Sequence, residues 1–334
     1  MRPFLYSAAP FVHTLHRVAS WAEPFSCLSG AWDRLERVLR DITLFAILKV
    51  FQQAIRMLPE KAAASLGPFL GATAYLFLKK RRLIATANAK RILPNLTDRE
   101  ARRIARTCFK KLGINFVETL LIPYLSKEEY ALRFAVKGRE YFDEALREGK
   151  GLLALSFHYG NWEIMGVISH VLGCEIVALA RPLKNQRLLN GFLTSLRRST
   201  GLTVIPNRDT ARDAARYLRE NRVVAILGDQ RVKKSQGVFV ELFGEKVPTS
   251  KGITLLAMKT GAPMIPIYSE RNGFLRYTIV FSRPLDIERR PRDGESMKHL
   301  LYRNARKINA FIEGIVGDHP DEWLLVHRRF GRRS

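Results

Sequence analysis

The chain has 334 residues, more than the ~250–300 at which single hydrophobic cores stop growing, so one large domain with an added segment or two domains both fit this length. A hydrophobic content of 47% and a charged content of 26% exclude a disordered or fibrous chain. The 56 lysines and arginines against 31 acidic residues give a formal net charge of +25. A surface with this charge attracts nucleic acid, anionic lipid or an acidic carrier protein.

The cysteines and the N-terminus indicate the compartment. Cys27, Cys108 and Cys174 lie far apart and show no metal-type spacing, so we expect neither a disulfide framework nor a zinc site. Residues 1–20 lack the continuous apolar core of a signal peptide. We therefore expect a reducing compartment, no metal and no secretion signal.

The first part of the chain has the composition of membrane-associated helices. Residues 42–58 place their polar side chains on one narrow stripe, which is typical of a helix that is buried or lies in a membrane interface. Residues 62–78 carry no charge but fall just short of the ~18 apolar residues that indicate a membrane span. From residue 79 to residue 111, twelve lysines and arginines accompany two acidic residues, which favours either a polybasic membrane contact or a solvated helix face.

The rest of the chain alternates strands with helices. Short apolar runs bounded by Gly, Pro or Asn predict strands at residues 151–157, 175–180, 202–206, 222–229 and 262–270. Helix-length stretches, such as residues 208–221 and 249–261, lie between them. This order predicts an α/β fold with a mostly parallel central sheet flanked by helices, in which sites lie at the carboxyl ends of strands.

These patterns divide the chain into three regions. We predict an N-terminal extension of uncertain status over residues 1–40 and a helical, membrane-associated and polybasic region over residues 41–125. The α/β catalytic region then covers residues 126–334.

One histidine follows the first predicted strand, in the segment SFHYGNWE, residues 156–163. His158 and Glu163 could not meet along one continuous helix, where they would point about 140° apart. A tight turn at Gly160, with Asn161 as the N-cap, lets Glu163 face back from the first helical turn and hold one imidazole nitrogen. The other nitrogen is then free to take a proton from a substrate hydroxyl.

Spacing alone leaves two alternatives to this catalytic pair. In the first, His158 ends the strand and Glu163 only favours a helix N-terminus. In the second, the two side chains bind a metal ion, although no third ligand of suitable spacing is evident.

The motif HYGNWE resembles the H-x4-D/E motif of glycerolipid-type acyltransferases, in the H-x4-E form of the bacterial lipid A late (secondary) acyltransferases. Four further blocks resemble that family in the same order, at residues 181–201, 223–231, 237–268 and 319–330. The resemblance extends over roughly residues 42–330.

The resemblance implies an acyltransferase that moves a fatty acyl chain from acyl carrier protein to a hydroxyl group of a hydroxyacyl chain on a lipid A precursor. It implies that His158 is the general base and Glu163 its partner. Arg197 or Arg198 would match the family arginine near the site, and Asp229 the downstream acidic residue. The predicted substrate-binding residues are Asn161, Arg197, Arg198, Asp229, Gln230 and Arg231, and Asn161 or backbone N–H groups at the helix start are candidate oxyanion donors.

The implied partners match the charge. Acyl carrier protein is acidic, the inner leaflet is anionic and the glycolipid acceptor carries phosphates, so we expect no nucleic-acid partner. Because a thioester is an activated acyl donor, we expect no cofactor and no metal. The implied location is the cytoplasmic face of the inner membrane, reached by an N-terminal hydrophobic helix or by interfacial attachment.

Three rivals remain at this point. The acceptor could be a phosphatidylinositol mannoside, an ornithine-type lipid or a lysophospholipid. The chain could be a basic nucleic-acid-binding protein, although it shows neither aromatic-basic interleaving nor a helix-turn-helix pattern. It could also be a lipid carrier with an acyltransferase fold and no catalysis.

Overall fold

The computed structural model describes residues 35–180, 186–206 and 210–331. The predicted extension over residues 1–40 therefore lies almost entirely outside the described residues. By its internal contacts the chain divides into a smaller unit, Met1–Phe51 with Leu183–Phe192, and a larger one, Gln52–Pro182 with Leu193–Ser334.

Helices account for most of the described N-terminal part and recur between the strands. In chain order they are residues 35–56 (α1), Glu60–Phe77 (α2), Lys79–Ile92 (α3), Asp98–Leu121 (α4), Lys127–Arg133 (α5), Arg139–Arg147 (α6), Ile168–Leu172 (α7), Arg187–Ser199 (α8), Thr210–Arg219 (α9), Lys251–Thr260 (α10) and Met297–Asp318 (α11). Among the residues described, none of these helices is both long and apolar enough to cross a membrane.

The strands form one large sheet and one hairpin. They are Phe134–Lys137 (β1), Leu152–Ser156 (β2), Ile176–Ala180 (β3), Leu202–Pro206 (β4), Val223–Leu227 (β5), Gly237–Leu242 (β6), Glu245–Ser250 (β7), Met264–Gly273 (β8) and Arg276–Phe281 (β9). The sheet has the order β1-β9-β8-β2-β5-β3-β4, and β6 pairs with β7 alone. Among the strands that the structure describes, only β8 and β9 pair antiparallel within the large sheet, so the predicted mostly parallel α/β fold is confirmed.

Strand β2 shows why the sheet needs helices on both faces. Leu152 and Ala154 are buried in one apolar cluster, and Leu153 and Leu155 are buried in another. Because successive side chains of a strand point to opposite faces, both faces of the sheet are covered. All five predicted strands correspond to observed ones, whereas β1, β9 and the β6–β7 hairpin were not predicted.

In the smaller unit, residues 35–51 of α1 contact the start of α8. The carboxylate of Asp41 accepts hydrogen bonds from the backbone N–H groups of Leu188 at 2.7 Å and Leu189 at 3.2 Å. It therefore satisfies free donors at the N-terminus of α8, where negative charge is favoured. The ring of Phe45 packs edge-on against that of Phe192, with centroids 6.2 Å apart.

Helices α2 and α4 of the larger unit touch through their backbones. A Cβ atom on Gly71 would lie 2.1 Å from the carbonyl oxygen of Phe109, and one on Gly113 would lie 2.2 Å from that of Gly67. Only glycine fits such a close approach. The contact holds α4, which carries several residues that support the candidate site described below, against the layer formed by α2.

Gly71→Ala is therefore expected to destabilise the protein by about 1–3 kcal/mol, because the added methyl group overpacks the contact with α4. Gly314→Ala in α11 is the matched control, since a Cβ there meets no atom within 4 Å. We expect the control to stabilise the helix by about 0.4–1 kcal/mol. Free energies of unfolding from denaturant titration would measure both, and equal effects of the two variants would contradict the backbone contact.

Candidate active site

The candidate site lies where β2 and β5 end side by side. The two strands pair in parallel, from Leu152 opposite Val223 to Ser156 opposite Leu227. His158 follows Ser156 by two residues, and Asp229 follows Leu227 by two residues. The register of the strands therefore brings His158 and Asp229 to the same carboxyl edge of the sheet.

His158 and Asp229 form a buried pair. Nδ1 of His158 lies 2.7 Å from Oδ1 of Asp229, and Oδ2 accepts the backbone N–H of His158 at 3.0 Å and the indole N–H of Trp323 at 2.7 Å. Burial alone would raise the pKa of Asp229, but attraction to His158 and these hydrogen bonds outweigh it and hold the pKa below its usual range. The carboxylate is therefore ionised and can only accept hydrogen bonds, which assigns the proton of a neutral imidazole to Nδ1.

The second imidazole nitrogen faces an exposed side chain. Nε2 of Gln230 lies 3.0 Å from Nε2 of His158. Because the proton is on Nδ1, the imidazole Nε2 accepts a hydrogen bond from the amide. Gln230 is exposed, so a hydroxyl group that replaced its amide would reach Nε2 from the solvent side. His158 thus has the geometry of a general base with an accessible accepting atom.

The C-terminal segment runs alongside the turn that carries His158. The backbone N–H of Leu324 donates to the carbonyl of His158 at 2.9 Å, and that of Gly160 donates to the carbonyl of Glu322 at 3.0 Å. Trp323 lies between Glu322 and Leu324, and its indole N–H donates to Asp229. The segment therefore fixes both members of the buried pair.

The turn depends on glycine at position 160, as predicted. Gly160 has a φ of 59°, and a Cβ there would lie 2.5 Å from the carbonyl oxygen of Ser269. A side chain would be disfavoured by the backbone conformation and would also collide with β8. The amide of Asn115, on α4, donates to the carbonyl of Gly160 at 2.6 Å.

A buried carboxylate supports the same turn from α4. Glu118 is fully buried and accepts hydrogen bonds from the Asn161 amide at 3.1 Å, the Arg271 guanidinium at 2.6 Å, the Leu275 backbone N–H at 2.7 Å and the Tyr277 hydroxyl at 2.5 Å. Asn161 occupies the predicted N-cap position, but its side chain makes no capping hydrogen bond. Its amide holds the turn to Glu118, and its contact with substrate stays a prediction.

Glu163 is not the residue that holds His158, so that prediction is wrong. Both of its carboxylate oxygens bind the guanidinium of Arg197, at 2.7 Å from Nη2 and 2.9 Å from Nε. Residues Trp162–Val167 form a 3-10 helix, and Asp229 arrives from the neighbouring strand to occupy the imidazole nitrogen instead. A participation of Glu163 in the chemistry itself stays a prediction.

The structure separates the two adjacent arginines. Arg197 binds Glu163, and the hydrogen bond to this carboxylate raises the pKa of the guanidinium above its ordinary value. Arg198 is exposed. Arg231 is also exposed, and its backbone N–H donates to Nε2 of His327 at 3.2 Å, beside the segment that carries Trp323.

Sequence reasoning missed Trp323 and Glu118. Trp323 lies in the terminal block HPDEWLLVHRRF, which resembles the family, so its place in that block was the available signal. Glu118 stands in the mainly apolar stretch INFVETLL, and a lone acidic residue on a buried helical face indicates a buried polar partner. No group of three or more His, Cys, Asp or Glu side chains suited to a metal ion occurs in residues 35–180, 186–206 and 210–331.

Arg197→Met is expected to destabilise the protein by about 1–2 kcal/mol, because it leaves the partly buried Glu163 carboxylate unpaired. This value is below the cost for a fully buried pair, since about a quarter of each side chain is exposed. Arg198→Met is the neighbouring control and should change stability by less than about 0.5 kcal/mol. Denaturant unfolding of both variants gives the comparison, and an unchanged Arg197→Met protein would contradict a structural role for the ion pair.

Comparison with known proteins identifies relatives along most of the chain. The palmitoleoyltransferase of lipid A biosynthesis in Escherichia coli (strain K12) is 27% identical over 279 residues, which cover 83% of this chain and 87% of the relative. The lauroyltransferase of lipid A biosynthesis in the same organism is 24% identical over 283 residues, with the same two coverages. A phosphatidylinositol mannoside acyltransferase of Mycobacterium tuberculosis is 28% identical over 157 residues, covering 45% of this chain and 49% of the relative.

The family match is broader than any of these pairwise alignments. The family model described as bacterial lipid A biosynthesis acyltransferase matches residues 33–332, which include the whole sheet, the His158 turn and the terminal segment with Trp323. The family resemblance inferred from the motif blocks is thus confirmed. The chain belongs to the bacterial lipid A biosynthesis acyltransferases.

Proposed function

We propose that this acyltransferase moves a fatty acyl chain from an acyl carrier protein thioester to a hydroxyl group of a hydroxyacyl chain on a lipid A precursor. The observation that carries the proposal is the buried His158–Asp229 pair, whose accessible Nε2 can take a proton from a hydroxyl group. A thioester is already activated, so the protein needs a base, a way to orient the hydroxyl and donors for one oxyanion.

The proton follows a short path in this mechanism. His158 Nε2 takes the proton of the acceptor hydroxyl as its oxygen attacks the thioester carbonyl, and Asp229 stabilises the resulting imidazolium. Collapse of the tetrahedral intermediate breaks the carbon–sulfur bond, and the imidazolium returns the proton to the leaving thiolate. The products are the new ester and the free thiol of the carrier.

The oxyanion donors come from the start of the 3-10 helix in this proposal. Trp162 and Glu163 begin that helix, and the first N–H groups of a helix have no intrahelical acceptor. The Glu163–Arg197 ion pair ties this helix start to α8 and so holds the donors in position. Glu163 therefore acts on the reaction through placement of the backbone beside His158.

Gln230 holds the imidazole before substrate arrives. Its amide donates to the same Nε2 atom that accepts the substrate proton, so the acceptor hydroxyl must displace it. Once displaced, the exposed amide is placed to bind the acceptor. Arg231, the next residue, adds positive charge for an anionic glycolipid.

The net charge of +25 supports the same set of partners. An acidic carrier protein, an anionic leaflet and a phosphorylated acceptor all bear the opposite charge. We propose that the enzyme acts at the cytoplasmic face of the inner membrane, attached at the interface, with acyl carrier protein as donor and no cofactor.

One observation supports a second candidate class of acceptor lipid. The mycobacterial relative that matches 45% of this chain is named for phosphatidylinositol mannoside. The relatives named for lipid A match 83% of the chain, so the lipid A precursor is the preferred acceptor. A transfer assay with a Kdo-bearing lipid A precursor and a phosphatidylinositol mannoside in separate reactions would distinguish them, with the faster transfer expected on the lipid A precursor.

His158→Ala is expected to lower kcat/KM for acyl transfer from acyl carrier protein by about 10²–10⁴-fold, because it removes the general base. Asp229→Asn should also cause a large loss, since an amide cannot keep the proton on Nδ1 by charge. His299→Ala changes an exposed histidine on α11 and should leave the rate unchanged.

Release of thiol and mass of the acylated lipid measure the reaction directly. Deletion of the gene should remove one secondary acyl chain from lipid A, as read by lipid mass spectrometry. Full transfer by His158→Ala would contradict the mechanism and would leave a noncatalytic lipid carrier as the better explanation.

A further inference from the structure

Helix α2 has one face that is packed and one that is not. Gly67 and Gly71 face α4 at backbone contact distance. Phe69 and Leu76 are two and nine residues after Gly67, which places them about 180–200° around the helix from it. Both are largely exposed, Leu76 to 67%. The face of α2 opposite α4 therefore also carries large apolar side chains, and no other part of the described chain covers them.

The exposed apolar face ends in a hydrophobic corner where α2 meets α3. We define this corner as Leu76, Phe77, Leu78 and Leu83, of which Phe77 is 80% exposed and Leu83 60% exposed. Large apolar side chains exposed singly need no explanation, but a group of four at one corner is typical of an interaction site.

Positive charge surrounds the hydrophobic corner. Lys79, Lys80 and Arg81 follow Leu78 directly and are all exposed. From residue 61 to residue 97 the sequence contains no Asp or Glu, so no acidic side chain of α3 balances them. Glu60 lies at the opposite end of α2, whose 18 residues make a helix about 27 Å long.

We propose that the hydrophobic corner inserts into the interfacial layer of an anionic lipid bilayer. Leucine and phenylalanine side chains beside a cluster of lysine and arginine are the combination that interfacial helices use, with apolar groups among the acyl chains and cations at the headgroups. This binding surface uses the C-terminal end of the apolar segment 62–78 together with the start of α3, and it requires no membrane span.

The helix that follows the corner is bound to the segment that runs past the candidate active site. Arg81, on the first turn of α3, donates to the carbonyl of Val326 at 3.1 Å. Asn88, two turns later, donates to the carbonyls of Leu325 and His327, both at 2.8 Å. The three accepting residues, 325–327, directly follow Leu324, whose backbone N–H donates to the carbonyl of His158. The first three turns of α3 therefore link the corner to the segment that fixes the base.

This arrangement has a consequence for the acceptor, which rests on the proposed function. A lipid whose headgroup lies at the membrane surface can present one hydroxyacyl chain to His158 while its other acyl chains stay in the bilayer. The enzyme then needs only to lift a hydroxyacyl chain toward Nε2, and the whole lipid never crosses water.

Vesicle sedimentation of the full chain tests the insertion without any activity measurement. Leu76→Asp/Phe77→Asp should weaken partitioning onto vesicles of phosphatidylcholine and phosphatidylglycerol by on the order of tenfold or more. Leu132→Asp is the matched control, because Leu132 is 78% exposed on α5, near the other end of α2, and its substitution should change nothing. Equal thermal unfolding midpoints would show that all three proteins are folded.

The charged residues are tested separately. Lys79→Glu/Lys80→Glu should weaken binding to the anionic vesicles by about fivefold or more per charge and leave binding to pure phosphatidylcholine nearly unchanged. Equal losses on both kinds of vesicle would contradict the assigned role of these lysines at the headgroups.

Two results would overturn the proposal. The first is wild-type binding by Leu76→Asp/Phe77→Asp, or an equal loss in the Leu132→Asp control. The second is self-association of the wild-type chain that Leu76→Asp/Phe77→Asp abolishes in analytical ultracentrifugation, which would assign the corner to a second copy of the chain.

Activity distinguishes this inference from the proposed function. With the acceptor embedded in vesicles, kcat/KM of Leu76→Asp/Phe77→Asp should fall by about tenfold, in step with its partitioning. With the acceptor dispersed in detergent the loss should be much smaller. If the wild-type chain transfers no acyl group in either form, the proposed function fails, while the sedimentation result still decides the membrane surface.

Discussion

The parallel register of β2 with β5 is the constraint on which the candidate active site depends. It brings the residues two positions beyond each strand, His158 and Asp229, to one edge of the sheet within hydrogen-bonding distance. Each strand has only one carboxyl end at this edge, so β2 supplies the histidine and β5 supplies the carboxylate. The positions of the base and its carboxylate are therefore set by the pairing of the two strands.

The turn between β2 and the 3-10 helix is stabilised by polar groups that take no part in proton transfer. Glu118 and Asn115, both on α4, bind the turn through Asn161 and through the carbonyl of Gly160. A buried carboxylate is costly unless it is fully hydrogen-bonded, and Glu118 meets this condition with four donors. Helix α4 thus connects the glycine contact with α2 on one side to the site on the other.

Several features of the fold could be read from the sequence because they depend on local patterns. The five buried strands carry apolar runs bounded by turn residues, and the turn at Gly160 was predicted from a glycine three residues beyond the predicted strand 151–157. The strands β1 and β9 and the β6–β7 hairpin were missed. The edge strand β1 has only four residues, and β9 and β7 mix polar with apolar residues, so they lack the continuous apolar runs of central strands. His158 was found because a histidine at a strand end is conspicuous in an α/β pattern.

The sequence by itself determined the fold class, the family and the histidine, because composition, periodicity and motif order are local properties of the chain. Tertiary structure decided which carboxylate holds that histidine. Glu163 was the nearer candidate along the chain, yet Asp229 holds the imidazole from 71 residues away and Arg197 binds Glu163. The physical reason is that strand order and register are set by packing between distant segments, which spacing along the chain does not encode.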